Sequence, residues 1–278
     1  MHLLEEQSQL NFEDSDIKNF SDSFVPYLYL DGHRSSNTGV TDSEKYNSGF
    51  KFFLRFGEIM RKSGFKQMVT MVHTSRNCCV KGRINSIISA IQENFDHSNE
   101  YINSSDFKLY GDIEFYKTLG FIDFYKFIND INNFKKQDTS FKHHILINYS
   151  EEWALNNLKE FSLMPEISSV IRFTKGYISG GWIPNKMQEA TFIYSQIPSV
   201  SEYWTDEALT TLLKIALKNW LLMKQYIGRK EYRNGERELI HEERDLKLGF
   251  SKNKLNINSK MPNRIIAFGI YGPILYEF

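Results

Sequence analysis

Residues 24–34 read FVPYLYLDGHR, and this stretch decides the fold. Phe24 to Leu30 is a short aromatic and aliphatic run, and Asp31-Gly32 ends it, as expected of a buried strand emptying into a turn. A helix is predicted next. Thr41 and Glu44 stand at capping-box spacing, Phe50, Phe53, Leu54 and Gly57 recur along one helical stripe, and Ser63-Gly64 stops it.

The alternation then repeats. Gln67 to His73 reads as a strand, Ile84, Ile87, Ile88, Ile91 and Phe95 mark a helical face, and Asp106 to Tyr110 is a strand ending at Gly111-Asp112. Phe121, Phe124, Tyr125, Ile128 and Ile131 form another helical stripe. It is followed by a strand from His144 to Tyr149, a helix opened by Ser150-Glu151-Glu152, and a fifth strand from Ile167 to Phe173. A short strand, Thr191 to Tyr194, precedes a long helix that Asp206 and Glu207 favour at its start. Leu209, Leu212, Leu213, Ala216, Leu217, Trp220 and Leu221 lie on one side of that helix. This stripe is broad enough that one edge is expected to meet another helix or a second subunit. Arg229 to Lys247 mixes both charge signs densely and reads as a solvated helix or connection. Residues 263–276 alternate weakly, as a terminal strand pair closed by Gly272-Pro273. Strands alternating with helices require crossover connections, which make the strands parallel. The predicted class is α/β, a central mostly parallel sheet flanked by helices.

The 278 residues allow one large or two small domains. Residues 1–23, polar and acidic without clean periodicity, read as an N-terminal arm, and 24–278 as a single domain. With 41% apolar and 24% charged residues the chain is neither disordered nor fibrous. Thirty-four basic residues balance 34 acidic ones, so composition gives no argument for nucleic acid as a partner. Cys78 and Cys79 are adjacent and cannot staple distant segments, which fits a reducing compartment. No apolar run approaches membrane-spanning length, and the expected location is cytoplasmic. The 15% aromatic content is high beside a mean hydropathy of −0.44; it fills a core first and leaves scope for an apolar cavity.

In parallel sheets, ligands sit outside the carboxyl ends of the strands. Asp31-Gly32-His33-Arg34, His73-Thr74, Gly111-Asp112, Asn148-Tyr149 and Arg172 should therefore ring any site. The amides of the first turn and Arg34 suit a phosphoryl group, while Asp31 suits a metal or a positive charge. Arg172 leaves the fifth strand at the same rim, with Lys175, Tyr177 and Ser179 close behind, so two cationic groups converge. No Gly-rich dinucleotide fingerprint, Walker loop, zinc helix or serine elbow is present. His143-His144 should point to opposite faces of a strand, as ordinary hydrogen-bonded histidines.

These residues resemble the cis-prenyltransferase superfamily, whose first strand ends in an Asp-Gly-Asn-Gly-Arg type loop and whose late motif runs Ile-Arg, a gap, then Arg-x-Ser. Here the counterparts are Asp31-Gly32-His33-Arg34 and Ile171-Arg172 with Tyr177-Ile178-Ser179. Further likenesses are Thr74-Ser75-Arg76-Asn77, Gly111-Asp112 and Asn148-Tyr149. Ser35, Tyr177 and Ile193 stand where that family carries arginine, arginine and a metal-binding glutamate. The closer resemblance is to the tuberculosinol synthase and diterpenyl transferase branch, through Asp31-Gly32-His33-Arg34, Tyr46, Tyr110-Gly111-Asp112 and the aromatic strand from Arg264 through Gly269 to Tyr276.

The resemblance implies a terpene synthase-like enzyme that ionises an allylic prenyl diphosphate and quenches the cation with water, by deprotonation or with an acceptor. Transfer to a nucleoside, cis-elongation and a non-catalytic partner subunit remain as alternatives. Gly32, Arg34, Arg172, Lys175, Tyr177 and Ser179 would hold the diphosphate. Asp31 would face the cation directly or through Mg2+, and His33 or Tyr46 would take a proton or orient water. Thr74, Asn77 and Asn148 would border the substrate, although Tyr46 also suits capping the loop and the two asparagines also suit fastening turns. A homodimer is expected.

Overall fold

The computed structural model describes residues 19–29, 41–78, 82–95, 98–134, 139, 141–173, 180–195, 197–227, 264–269 and 272–277. The first strand is β1 (Pro26–Tyr29), with Phe24 and Val25 buried just ahead of it. Helix α1 (Asp42–Lys62) follows and is fixed at both ends by its sequence. Thr41 Oγ1 accepts the Glu44 N–H at 3.3 Å, and Glu44 Oε2 accepts the Thr41 N–H at 2.8 Å. The Thr41 hydroxyl, which donates to Glu44 Oε2 at 2.7 Å, and the Thr41 N–H together hold the Glu44 carboxyl below its ordinary range. Gly64, at φ +89°, ends the helix in a conformation that an L side chain resists.

Strands β2 (Gln67–Met71) and β3 (Ser105–Tyr110) flank short helices α2 (Ser75–Cys78) and α4 (Glu100–Ser104) and the longer α3 (Arg83–Asn94). The predicted isoleucine face of α3, Ile84, Ile87, Ile88 and Ile91, is buried, as is Phe95. Next come α5 (Glu114–Thr118), α6 (Ile122–Asn133), β4 (Phe141–Leu146), α7 (Glu151–Asn156), α8 (Leu158–Phe161), β5 (Ser169–Phe173) and β6 (Thr191–Ser195). Helix α9 (Asp206–Ile227) leads to β7 (Arg264–Gly269) and β8 (Gly272–Glu277). All eight strands form one sheet in the order β3-β4-β2-β1-β5-β6-β7-β8, parallel through β6 and antiparallel from β6 to β8.

Two sequence expectations are corrected. The fourth strand spans Phe141–Leu146, not residues 144–149, because Asn148 adopts φ +43° and turns the chain out of the ladder. Gly272-Pro273 does not close the terminal pair: Gly269 pairs with Gly272 and Phe268 with Pro273, so both belong to β8 and the reversal precedes them. The broad stripe of α9 is used within the chain, against α1 and strands β5, β6 and β7. Arg229 to Lys247 lies outside the described residues.

The sheet separates two cores. On one face α1, α3, α6 and α9 pack a phenylalanine-rich cluster that includes Phe53, Phe56, Phe124 and Phe173. On the other face lie Tyr27, Tyr29, Val69, Met71, Tyr110 and Tyr149, under α7, α8, Ile183 and Met187. Aromatic residues thus chiefly fill cores, with Phe50 and Phe53 edge to face at 4.1 Å. Ahead of β1, Phe20 packs edge to face on Trp220 at 6.4 Å. At the β3 margin, Asn132 of α6 imitates a further strand: its Oδ1 accepts the Leu109 N–H at 2.7 Å and its Nδ2 donates to the Leu109 carbonyl at 3.1 Å. No described helix is long and apolar enough to cross a membrane.

Candidate functional site

The chain runs from β1 outward to β2, then returns to place β5 on the other side of β1, so the order reverses at the carboxyl end of β1. Register sets Arg172 of β5 beside Tyr29 of β1 and Tyr194 of β6. The Arg172 side chain is only 3% exposed, and its guanidinium lies 4.2 Å from the centre of the Tyr29 ring. An aromatic face stabilises a delocalised cation electrostatically, and a guanidinium so placed keeps N–H groups able to donate to an anion.

A tyrosine lattice secures this corner. Tyr27 Oη donates to the Gly181 carbonyl at 2.8 Å, and Tyr149 Oη donates to the Trp182 carbonyl at 2.9 Å. Glu151 Oε1 accepts the Trp182 N–H at 3.1 Å. Gly181 sits at φ +79°, and a Cβ there would stand 2.6 Å from Met71 Cε and 2.9 Å from Tyr29 Cε2. Only glycine lets this segment press on the rings under Arg172. Burial pushes the phenols of Tyr27 and Tyr149 up, so both stay neutral donors.

Along the rim, His73 Nε2 accepts both Tyr116 Oη at 2.5 Å and the Asn148 N–H at 3.0 Å. A backbone N–H can only donate, so the imidazole proton belongs on Nδ1. Burial drives the His73 pKa down to about 3, which keeps the ring neutral. Asn148 is buried, and its Nδ2 donates to the Asp112 carbonyl at 2.9 Å, while Gly111 packs against the Ile147 carbonyl closely enough to forbid a Cβ. Thr74 is buried and forms a parallel bridge with Tyr149; its carbonyl accepts the Asn77 N–H at 2.9 Å. The Asn148 side chain ties its turn to the one after β3.

Tyr46 lies on the phenylalanine side of the sheet. With Gly49, Phe50, Phe53, Val72 and Ile87 it lines an apolar cavity of about 20 Å³, room for one water-sized group. Arg172 belongs to the tyrosine side, so Tyr46 and Arg172 can share a ligand only over the rim. Asp31, Gly32, His33, Arg34, Lys175, Tyr177 and Ser179 lie outside the described residues.

The histidine pair follows expectation. His143 joins Tyr101 Oη at 2.7 Å through Nδ1 and Thr70 Oγ1 at 2.8 Å through Nε2, while His144 Nδ1 meets Tyr110 Oη at 3.1 Å on the other face. Among the described residues no three His, Cys, Asp or Glu side chains group to hold a metal, and Ile193, buried on the phenylalanine side, offers no ligand. The Mg2+ expectation falls on Asp31, which lies outside the described residues. Sequence reasoning missed Tyr29, Tyr116 and Gly181. The alternation of Tyr27 and Tyr29 was the one signal for the first of these; the other two depend on contacts between distant segments.

No family model matches the chain, and no curated protein matches it by sequence. Solved structures do match in fold. A lavandulyl diphosphate synthase from Lavandula x intermedia, in complex with dimethylallyl diphosphate, aligns with a TM-score of 0.55 at 12% identity, over 76% of this chain and 96% of its own. A "probable undecaprenyl diphosphate synthase" from Campylobacter jejuni aligns with a TM-score of 0.51 at 12% identity, over 75% and 97% of the two chains. What they share with this chain at that identity is the cis-prenyltransferase-like fold.

Proposed function

We propose that this chain is an enzyme of 24–278 as one catalytic domain, which ionises an allylic prenyl diphosphate at the carboxyl ends of β1 and β5. One observation carries the reading: a buried guanidinium, Arg172, lying over the Tyr29 ring where the strand order reverses. The fold match supports it, because one of the similar structures holds dimethylallyl diphosphate, an allylic diphosphate.

In this mechanism Arg172, Arg34 and Lys175 bind the diphosphate, with the Gly32 amide, Tyr177 and Ser179 completing the cradle. The allylic carbon–oxygen bond breaks, and its electron pair leaves on the diphosphate oxygen that these donors stabilise. Asp31 faces the resulting cation. His33 or Tyr46 then removes a proton to give an alkene, or orients a water that adds through oxygen and loses a proton to give an alcohol. Thr74, Asn77 and Asn148 border the hydrocarbon. No step is routed through Mg2+.

The test is incubation with C5 to C20 allylic diphosphates, alone and with isopentenyl diphosphate or an acceptor, followed by diphosphate and product analysis. Alcohol or alkene products support ionisation and quenching, whereas lengthened chains or prenylated acceptors would assign elongation or transfer. Absence of diphosphate release from every substrate would leave the partner-subunit alternative standing. Asp31→Ala is expected to lower diphosphate release at least about a hundredfold; wild-type turnover in that variant would remove Asp31 from the mechanism.

A further inference from the structure

Beneath the rim, the described residues give a hydrocarbon little depth on either face of the sheet. The tyrosine side under Arg172 is closed even to one added carbon at Gly181, which would stand 2.6 Å from Met71 Cε and 2.9 Å from Tyr29 Cε2. On the phenylalanine side lies the cavity of about 20 Å³ that Tyr46, Phe50 and Phe53 of α1 share with Val72 and with Ala90 of α3. Val72 is the first residue past β2, so this cavity lies directly under the rim. Its floor is fixed. Phe53, fully buried, stands edge to face on Phe50 at 4.1 Å and on His143 at 5.1 Å. His143 is itself locked, through Nε2 to Thr70 Oγ1 at 2.8 Å and through Nδ1 to Tyr101 Oη at 2.7 Å. A chain pushing deeper would have to turn Phe53 out of this packing and part buried polar groups from their partners.

Depth and volume together bound the hydrocarbon. Thr70 and Val72 stand two residues apart on the same strand face, so floor and rim are about 6.6 Å apart. One isoprenoid unit, four carbon–carbon bonds long, extends about 5 Å, and two extend about 10 Å. The cavity receives one water-sized group, hence one methyl at the end of such a chain. We propose that the hydrocarbon of the substrate is a single isoprenoid unit, a five-carbon allylic group whose terminal methyl enters this cavity, and that Phe53 sets the limit. The inference rests on the reading of the rim as a site for allylic prenyl diphosphates and names the member of that class which the site takes. Phe53 acts as the stop, and Ala90, the smallest side chain in the wall, leaves the room that the methyl uses.

The experiment compares diphosphate release by the full chain from C5, C10, C15 and C20 allylic diphosphates, read as kcat/KM. The C5 substrate is expected to exceed each longer one about ten- to a hundredfold, the penalty for displacing a well-packed ring. Phe53→Leu shortens the stop while keeping it apolar, and should raise C10 relative to C5 at least about fivefold. Ala90→Val puts carbon into the cavity and should lower C5 turnover about tenfold. Circular dichroism and thermal midpoints establish that both variants fold; should Phe53→Leu fail to, Ala90→Val carries the test. Longer substrates used as well as C5 by the wild-type chain, an unchanged ratio of C10 to C5 in folded Phe53→Leu, or an unchanged C5 rate in Ala90→Val would overturn the limit and leave the allylic diphosphate reading in place. No diphosphate release at any chain length would overturn both.

Discussion

A guanidinium that is 3% exposed has exchanged water for the face of Tyr29, and that exchange is specific to its shape. Lysine preserves the charge but neither the delocalised cation over the ring nor the two-pronged donor edge. Arg172→Lys is therefore expected to lower diphosphate release about ten- to a hundredfold while leaving the circular dichroism spectrum intact; an unchanged rate would show that Arg172 binds no leaving group. Gly57 makes a different point. A Cβ there would sit 2.1 Å from Tyr101 Oη, the atom that bonds His143 Nδ1. Replacing a helical glycine with alanine gains about 1 kcal/mol of helix propensity, but displacing Tyr101 costs about 1–3 kcal/mol in overpacking and about 1 kcal/mol for the lost bond. Gly57→Ala should thus lower stability by about 2 kcal/mol in denaturant titration, and adding Tyr101→Phe should recover part of it by removing the clashing oxygen. A more stable Gly57→Ala protein would contradict this packing. Arg172 was legible in the sequence because a rim position follows from strand alternation. The Tyr29 ring beneath it was not, because that contact needs β1 and β5 side by side.

At the scale of elements, β2 and β4 with the turns after them carry three buried histidines, each bonded to a tyrosine from elsewhere in the fold. Burial lowers all three pKa values, His73 to about 3 and His144 to about 4, against about 6.5 in an open chain. Between pH 6.5 and 4 the unfolded chain takes up protons that the native one refuses. Stability is thus fully present above pH 6.5 and falls with acid, by about 2 kcal/mol per histidine at pH 5. Unfolding free energies measured from pH 8 to 5 should show this slope, and His144→Gln should flatten it by one proton; a flat wild-type profile would mean that these rings are protonated in the native state. Capping and periodicity made α1, α3 and α9 readable, because their signals are local. The fourth strand was misplaced because Ile147, Asn148 and Tyr149 look extended in sequence, while the left-handed Asn148 that ends the ladder is fixed by His73 and Asp112. The doublet Gly272-Pro273 misled in the same way: turn composition occurs inside β8.

Across the whole molecule, the terminal hairpin completes what the parallel sheet leaves open. β7 pairs antiparallel with β6 and packs under α9, so it joins the far margin of the sheet to the longest helix. Removing residues 264–278 would bare β6, whose Thr191, Ile193 and Ser195 are buried. The expected result is self-association at micromolar concentration and a lower thermal midpoint, read by light scattering and calorimetry; a monodisperse, equally stable truncated chain would show that the hairpin is dispensable to the fold. Alternating strands and helices were enough to foresee an α/β sheet. The division into a phenylalanine core and a tyrosine core was not foreseeable from them, since it depends on which face each crossover covers.

Asn132 bears on how the protein behaves in a crowded cell. By filling the backbone positions of Leu109 with its own amide, it leaves an incoming strand no matching partner there. On the opposite border, β8 carries Pro273 as its second residue, which brings no N–H to a newcomer. Ribbon-like stacking of copies is thereby discouraged at one position on each flank.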